Sequence, residues 1–301
     1  VSMAQHGGVR AGEGDGAAAS DGFGTRLQRI IAERGGLCVG IDPHSYLLAD
    51  WALPDDASGA RELGLAVVEA AARGGAGIVK PQVAFFERFG SAGYAALEEV
   101  LAAARAAGLL VIADVKRGDL GTSVEAYGEA WLTPGAPLEA DAMTISAFQG
   151  VGSLAGPIRL AAESGKGLFV LAATSNPEAA AIQTSVAPDS GRSVARAIIE
   201  DVTVQNQAIG HVAGPLGVVL GATLDLSVFG IDVSSAPTPE LPVLAPGFGH
   251  QGARIEDAAS IYGEYARMLV VSESRGILSA GPDGLADTIA TRAAEVRTAL
   301  A

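Results

Sequence analysis

The segment Ala113-Asp114-Val115-Lys116-Arg117-Gly118-Asp119-Leu120 is the densest run of chemistry-bearing side chains in the chain. Asp-x-Lys-x-x-Asp spacing sets one ammonium among carboxylates that keep it protonated and in place as a general acid. If an apolar strand runs through Lys116, Asp114 and Lys116 project to the same face, and Asp119 falls in the following loop. Two more apolar runs end in charge: Asp42 closes Leu37-Cys38-Val39-Gly40-Ile41, and Lys80 closes Ile78-Val79. Charges at the ends of buried strands are costly unless paired. Here acids and bases alternate, so pairing is available. A second group is Pro246-Gly247-Phe248-Gly249-His250-Gln251-Gly252 with Ser274-Arg275-Gly276, a glycine-rich turn and an arginine whose fork matches phosphate oxygens.

The elements that must position these groups follow from periodicity. Apolar runs at Leu37–Asp42, Gly77–Lys80, Leu109–Asp114, Ala142–Ser146, Leu168–Ala173, Leu216–Gly221, Pro242–Ala245 and Met268–Ser272 read as eight strands. Helical patterns alternate with them at Arg61–Arg73, Ala92–Ala107, Val124–Trp131, Ser153–Ser164, Ser193–Ile209, Gly252–Tyr262 and Leu285–Leu300, with an opening helix over Thr25–Arg34. Strict alternation with strands buried on both faces implies a parallel α/β sheet. Eight units point to a single (β/α)8 TIM barrel over residues 21–301, with an open doubly wound sheet as the alternative at this level. In a barrel the charged strand ends gather at one mouth, and the loops after strands seven and eight hold phosphate. The longest connection, Ser175–Gln207, follows the fifth strand, and loops of that length usually carry function.

Composition limits the rest. Hydrophobic residues make up 49% of the chain and charged residues 18%, enough to bury a large core. The net charge of −14 repels nucleic acid and anionic lipid, so neither is an expected partner. Residues 1–20 are rich in Gly and Ala with scattered charge, and are expected to be a disordered extension rather than a secretory signal. One buried-looking Cys38 and no long uninterrupted apolar stretch point to a reducing, cytoplasmic setting without a membrane span. His6, His44, His211 and His250 show no metal-ligand spacing, so no metal is expected.

Four segments carry a specific resemblance: Cys38-Val39-Gly40-Ile41-Asp42-Pro43, Ile78-Val79-Lys80-Pro81-Gln82 with Ala84-Phe85-Phe86-Glu87, Asp114-Val115-Lys116-Arg117-Gly118-Asp119, and Ala173-Thr174-Ser175-Asn176-Pro177. Together they resemble the orotidine 5'-phosphate decarboxylase family, in its longer actinobacterial type, over Phe23 to Leu300. The resemblance implies a cofactor-independent barrel homodimer that converts orotidine 5'-phosphate to uridine 5'-phosphate and CO2, the last step of uridylate synthesis. It also implies that Asp42 binds ribose hydroxyls, and that Lys80 contacts the ribose and the charge network. Asp114 would lie against the substrate carboxylate with Lys116 as proton donor, and Asp119 would enter the partner's site. Ser175 would hydrogen-bond the pyrimidine, Gln251 with Gly252 would close over the phosphate that Arg275 holds, and Ser123 stands where the family carries a substrate-side Thr. Leu120 replaces a frequent Ile, and Ser146-Ala147-Phe148-Gln149-Gly150 replaces a more usual Asn-Pro-Tyr-Leu-Gly, which weakens any role for Ser146.

Two other readings share parts of this pattern. A Mg²⁺-dependent sugar-phosphate decarboxylase reuses Asp-x-Lys-x-x-Asp, but would carry an acid where Lys80 stands. Gly247-x-Gly249-x-x-Gly252, with Glu273 downstream, formally matches a dinucleotide fingerprint of an NAD(P)-dependent oxidoreductase. That fingerprint belongs on the first strand of a Rossmann unit, whereas here a single strand follows it.

Overall fold

The computed structural model describes residues 21–188, 190–211 and 213–301, so the extension expected over residues 1–20 lies outside the described residues. The eight apolar runs form β1 (Leu37–Ile41), β2 (Ile78–Pro81), β3 (Leu110–Arg117), β4 (Ala142–Ser146), β5 (Gly167–Ala173), β6 (Leu216–Leu220), β7 (Val243–Pro246) and β8 (Leu269–Glu273). They pair in parallel in chain order, and β8 returns to β1 through Leu37↔Val271 and Cys38↔Ser272. The closed (β/α)8 barrel excludes the open sheet, and with it the dinucleotide fold.

Side-chain alternation divides the apolar residues into two cores. Leu37, Val39 and Ile41 of β1 face outward into the layer between barrel and helices, while Cys38 joins Ile78, Ile112, Ala142, Phe169, Val219, Leu244 and Val270 in a separate inner cluster. The N-terminal helix Phe23–Arg34 stops the lower end of the barrel. Its Phe23 and Leu27 are fully buried in the inner cluster, and Phe23 meets Phe169 edge to face with ring centroids 5.9 Å apart. The same alternation, carried one or two steps toward the C-terminal ends, turns Lys80, Asp114, Thr144 and Ser272 into the cavity above this plug.

The outer helices form where one face repeats at helical spacing. Ala57–Arg73 buries Leu63, Val67, Ala70 and Ala71, and starts where the Asp56 carboxylate accepts from Ser58 N and Gly59 N at 2.8 and 3.1 Å. Gly281–Ala299 buries Leu285, Ile289, Ala293 and Val296. Val194–Ile209 ends on Gly210 in the left-handed region and is tied to the sheet by fully buried Asn206. That side chain donates to Leu216 O at 2.8 Å and accepts from Leu216 N at 3.1 Å. Among the described residues no helix is long and apolar enough to cross a membrane.

Three expectations need correction. The helix expected over Gly252–Tyr262 is confined to Ala258–Tyr262 after a 3-10 turn at Ile255–Asp257, because Gly252 takes φ +104 and Arg254 is extended. The connection after β5 ends at Ser193, where the helix begins, and contains short helices at Pro177–Ala179 and Ala180–Gln183. Strand β3 runs on to Arg117, past its expected end at Asp114.

Replacing Asn206 by Ala leaves the buried Leu216 amide and carbonyl without partners. The unfolding free energy from urea denaturation should fall by about 2–4 kcal/mol. A loss below about 0.5 kcal/mol would contradict the anchoring role.

Candidate active site

The barrel mouth opens into a cavity of about 580 Å³ whose wall includes Asp42, Lys80, Asp114, Lys116, Ser175, Gln251 and Arg275. At its floor Asp114 is held between two lysines. Lys80 Nζ donates to Oδ2 at 2.8 Å, and Lys116 Nζ donates to Oδ1 at 2.7 Å. The side chains of Lys80 and Asp114 are each 8% exposed, while that of Lys116 is 48% exposed and reaches into the cavity. Burial opposes ionisation of Asp114, yet the two ammonium groups override it and hold the carboxyl well below the usual carboxylate range. Burial likewise opposes the charge on Lys80, and Asp114 and Asp42 reverse it, holding that ammonium above its ordinary value.

Backbone geometry explains how Asp114 and Lys116 meet. Register between β3 and β4 shifts between Ala113 and Arg117, and Lys116 takes φ +48, a left-handed conformation that costs a non-glycine residue about 1–2 kcal/mol. Thr144 of β4 fixes it: Lys116 N donates to Thr144 Oγ1 at 2.9 Å, and that hydroxyl donates to Asp114 Oδ1 at 2.8 Å. Gln82 steadies the lysine from the other side, accepting from Lys116 Nζ at 3.0 Å. Thr144 and Gln82 were not among the sequence candidates, although alternation from Ala142 and from Lys80 places both on the lumen side.

On the rim, Asp42 Oδ1 and Ser274 Oγ are buried without hydrogen-bond partners among the described residues. Gly40 allows their strands to meet, since a Cβ there would lie 2.6 Å from Ser274 Cβ. His44 packs on Phe85, centroids 4.1 Å apart, and burial lowers its pKa. Ser175 Oγ and Gln251 Oε1 face each other at 3.5 Å. Arg275 is half-buried on this wall, and its guanidinium has no carboxylate partner among the described residues. Gly252 turns the β7 loop just beyond the wall.

Asp119 and Ser123 do not line the cavity of their own barrel. Asp119 is half-buried and accepts from Leu120 N at 2.9 Å, Ser123 is exposed, and Ser146 is half-buried outside the cavity wall. Among the described residues no group of three or more His, Cys, Asp and Glu side chains is placed to hold a metal ion.

Residues 35–286 match the model of the orotidine 5'-phosphate decarboxylase / HUMPS family. The chain belongs to the orotidine 5'-phosphate decarboxylase family. A relative of that name from Streptomyces coelicolor is 49% identical over 92% of this chain and 98% of its own length. A solved Streptomyces avermitilis structure assigned to orotidine 5'-phosphate decarboxylase superposes with TM-score 0.87, at 46% identity over 93% of this chain and 96% of that one. The OMP decarboxylase structure from Leishmania donovani gives TM-score 0.72 at 29% identity, covering 92% of this chain and 99% of that one. As a family member the protein is a carboxy-lyase, an enzyme that breaks a carbon–carbon bond to release CO2.

The charge triad makes a prediction for stability. Asp114 has a lowered pKa, so its stabilising effect is complete above the ordinary value near 3.9 and is lost as pH falls below it. Asp114→Asn leaves Lys80 buried beside a neutral amide and should lower the unfolding free energy at pH 7 by about 3 kcal/mol or more. The deficit relative to wild type should narrow below about pH 4. Urea unfolding at pH 7 and pH 3.5 checks both, and a pH-independent or absent deficit would contradict the triad.

Proposed function

We propose that the protein decarboxylates orotidine 5'-phosphate to uridine 5'-phosphate in pyrimidine biosynthesis, with Lys116 as the proton donor. The observation that carries the reading is the cavity floor: a carboxylate kept ionised by one buried lysine, with a second lysine reaching past it into open space. The names of the relatives described above agree with the substrate.

In this reading the substrate carboxylate docks over Asp114 beside Lys116 Nζ. The C–C bond breaks, its electron pair stays on the ring carbon, and CO2 leaves. The resulting carbanion is poorly delocalised and needs a preorganised cation beside it. Lys116 supplies that charge, then transfers a proton from Nζ to the carbon and is left a neutral amine that regains its proton from water. Two like charges about 4 Å apart at an effective dielectric of about 20 repel by about 4 kcal/mol. That equals roughly three powers of ten in rate, so carboxylate repulsion is a minor part and stabilisation of the carbanion is the larger one. Lys80 and Thr144 keep Asp114 ionised and in place throughout.

Asp42 takes the ribose hydroxyls, Ser175 the pyrimidine ring, and Arg275 with Gln251 and the Gly252 turn the phosphate. Asp42 Oδ1 and the Arg275 guanidinium, with no hydrogen-bond and no carboxylate partner respectively among the described residues, support these assignments. Energy from the phosphate end can be used to order the distant charged floor. We further infer a homodimer in which Asp119 and Ser123 reach the partner's site. Both lie outside their own cavity, and Leu120, next in sequence to Asp119, is an apolar side chain 59% exposed. The chemistry uses no metal ion or organic cofactor, and the expected location is the cytoplasm.

Loss of orotidylate absorbance in the presence of EDTA tests the reaction. Wild type should turn over, and Lys116→Ala should lose activity by at least about a thousandfold while remaining folded by circular dichroism. Mixing Lys116→Ala with Asp119→Ala should regenerate activity through hybrid dimers. Absent wild-type turnover, or a need for Mg²⁺, would overturn the reaction assigned; absent complementation would overturn the shared site.

A further inference from the structure

Glu273, the last residue of β8, lines the cavity two residues before Arg275, and its side chain is 6% exposed. It stands between the β7 and β8 loops assigned above to the phosphate. A bare carboxylate there would repel a dianion. It is not bare. Arg292, on the C-terminal helix Gly281–Ala299 and outside the cavity wall, donates to a single oxygen, Glu273 Oε1, from Nε at 2.8 Å and Nη2 at 2.5 Å. The remaining arm of the guanidinium, Nη1, donates to Glu295 Oε2 at 2.6 Å, which fixes the cation from behind.

The other oxygen points toward the phosphate side. Glu273 Oε2 accepts no hydrogen bond from the described residues and lies against the β7 loop, where a Cβ on Gly249 would come within 3.1 Å of it. Gly249 also takes φ +66, so a side chain there is disfavoured twice. One carboxylate therefore touches the loop that would hold the phosphate, while its compensating charge sits on a helix that never reaches the cavity.

We propose that Arg292 is a positioning residue for the nucleotide phosphate: by neutralising Glu273 it lets an anion occupy the space between the β7 and β8 loops without touching that anion itself. The proposal rests on the phosphate assignment above and extends it to a residue outside the pocket. Its signature is a charge effect confined to phosphorylated ligands. A residue that merely stabilised the barrel would affect all ligands alike.

The test compares wild type, Arg292→Met and the double variant Arg292→Met/Glu273→Gln, all checked for folding by circular dichroism. Steady-state kinetics with orotidine 5'-phosphate and calorimetric binding of uridine 5'-phosphate and of uridine are measured for each. Arg292→Met should raise KM, and the Kd of uridine 5'-phosphate, by about tenfold, equal to about 1.4 kcal/mol. In that variant kcat and the Kd of uridine should move less than about twofold. The double variant should recover most of the lost affinity, because a neutral amide does not repel the phosphate. If Arg292→Met does not fold, Arg292→Gln, which keeps a donor for Oε1 without the charge, takes its place with the same expectations. Unchanged phosphate affinity, equal weakening of uridine, or no recovery in the double variant would overturn the proposal. Wild type that binds uridine 5'-phosphate without turning over orotidylate would overturn only the decarboxylation reading, and the binding measurements would still decide this one.

Discussion

A buried carboxylate between two ammonium groups is the constraint on which the rest of this structure depends. Asp114 is almost sealed from solvent, and each of its oxygens is taken by a lysine. Removing Asp114 leaves Lys80 buried without the carboxylate it pairs with, which costs several kcal/mol, whereas removing either lysine still leaves the carboxylate one cation. The barrel has to hold all three at hydrogen-bond distance while leaving one lysine free to face a ligand. Different elements meet these requirements: β2 buries Lys80, and an irregular end of β3 turns Lys116 into the cavity.

The supporting features follow from that need. Thr144 stabilises the left-handed backbone at Lys116 and, with the same oxygen, helps hold Asp114. Below the charges lies an apolar inner core that includes fully buried Phe23 and Leu27. Cys38 belongs to that layer, and burial pushes its thiol up to about 12, which leaves it a neutral packing group beneath the lysines. At the mouth the same logic recurs with Glu273 and Arg292: an acid at a strand end is tolerated because a cation from the outer layer meets it.

Much of this was legible in the sequence because the relevant signals are local. Apolar runs closed by polar, Gly or Pro residues gave the eight strands, and their charged ends put Lys80, Asp114 and Lys116 at one mouth. What alternation alone does not give is the conformation of Lys116. Its positive φ is stabilised by a hydroxyl on a neighbouring strand, and nothing within Asp114–Asp119 encodes it. The Gly252–Tyr262 helix was misjudged for a related reason: apolar spacing is present, but glycine at 252 and an extended Arg254 interrupt it. Arg292 escaped notice as one basic residue on an amphipathic helix. Its partner Glu273 lies 19 positions earlier, and only closure of the barrel brings the two together. The −14 charge reads differently with the fold in view: an acidic exterior surrounds a mouth where Lys116 and Arg275 face the cavity.

The central claim, that Asp114 is held ionised by its two lysines, is tested most directly by following its side-chain carboxyl ¹³C resonance during an acid titration. Uniformly labelled aspartate, with the signal assigned by its absence in Asp114→Asn, supplies the probe. The account predicts that the resonance stays at its ionised position through the ordinary carboxylate range near pH 3.9 and down to the pH at which the barrel unfolds. A protonation midpoint at or above that ordinary value in the folded protein would contradict it.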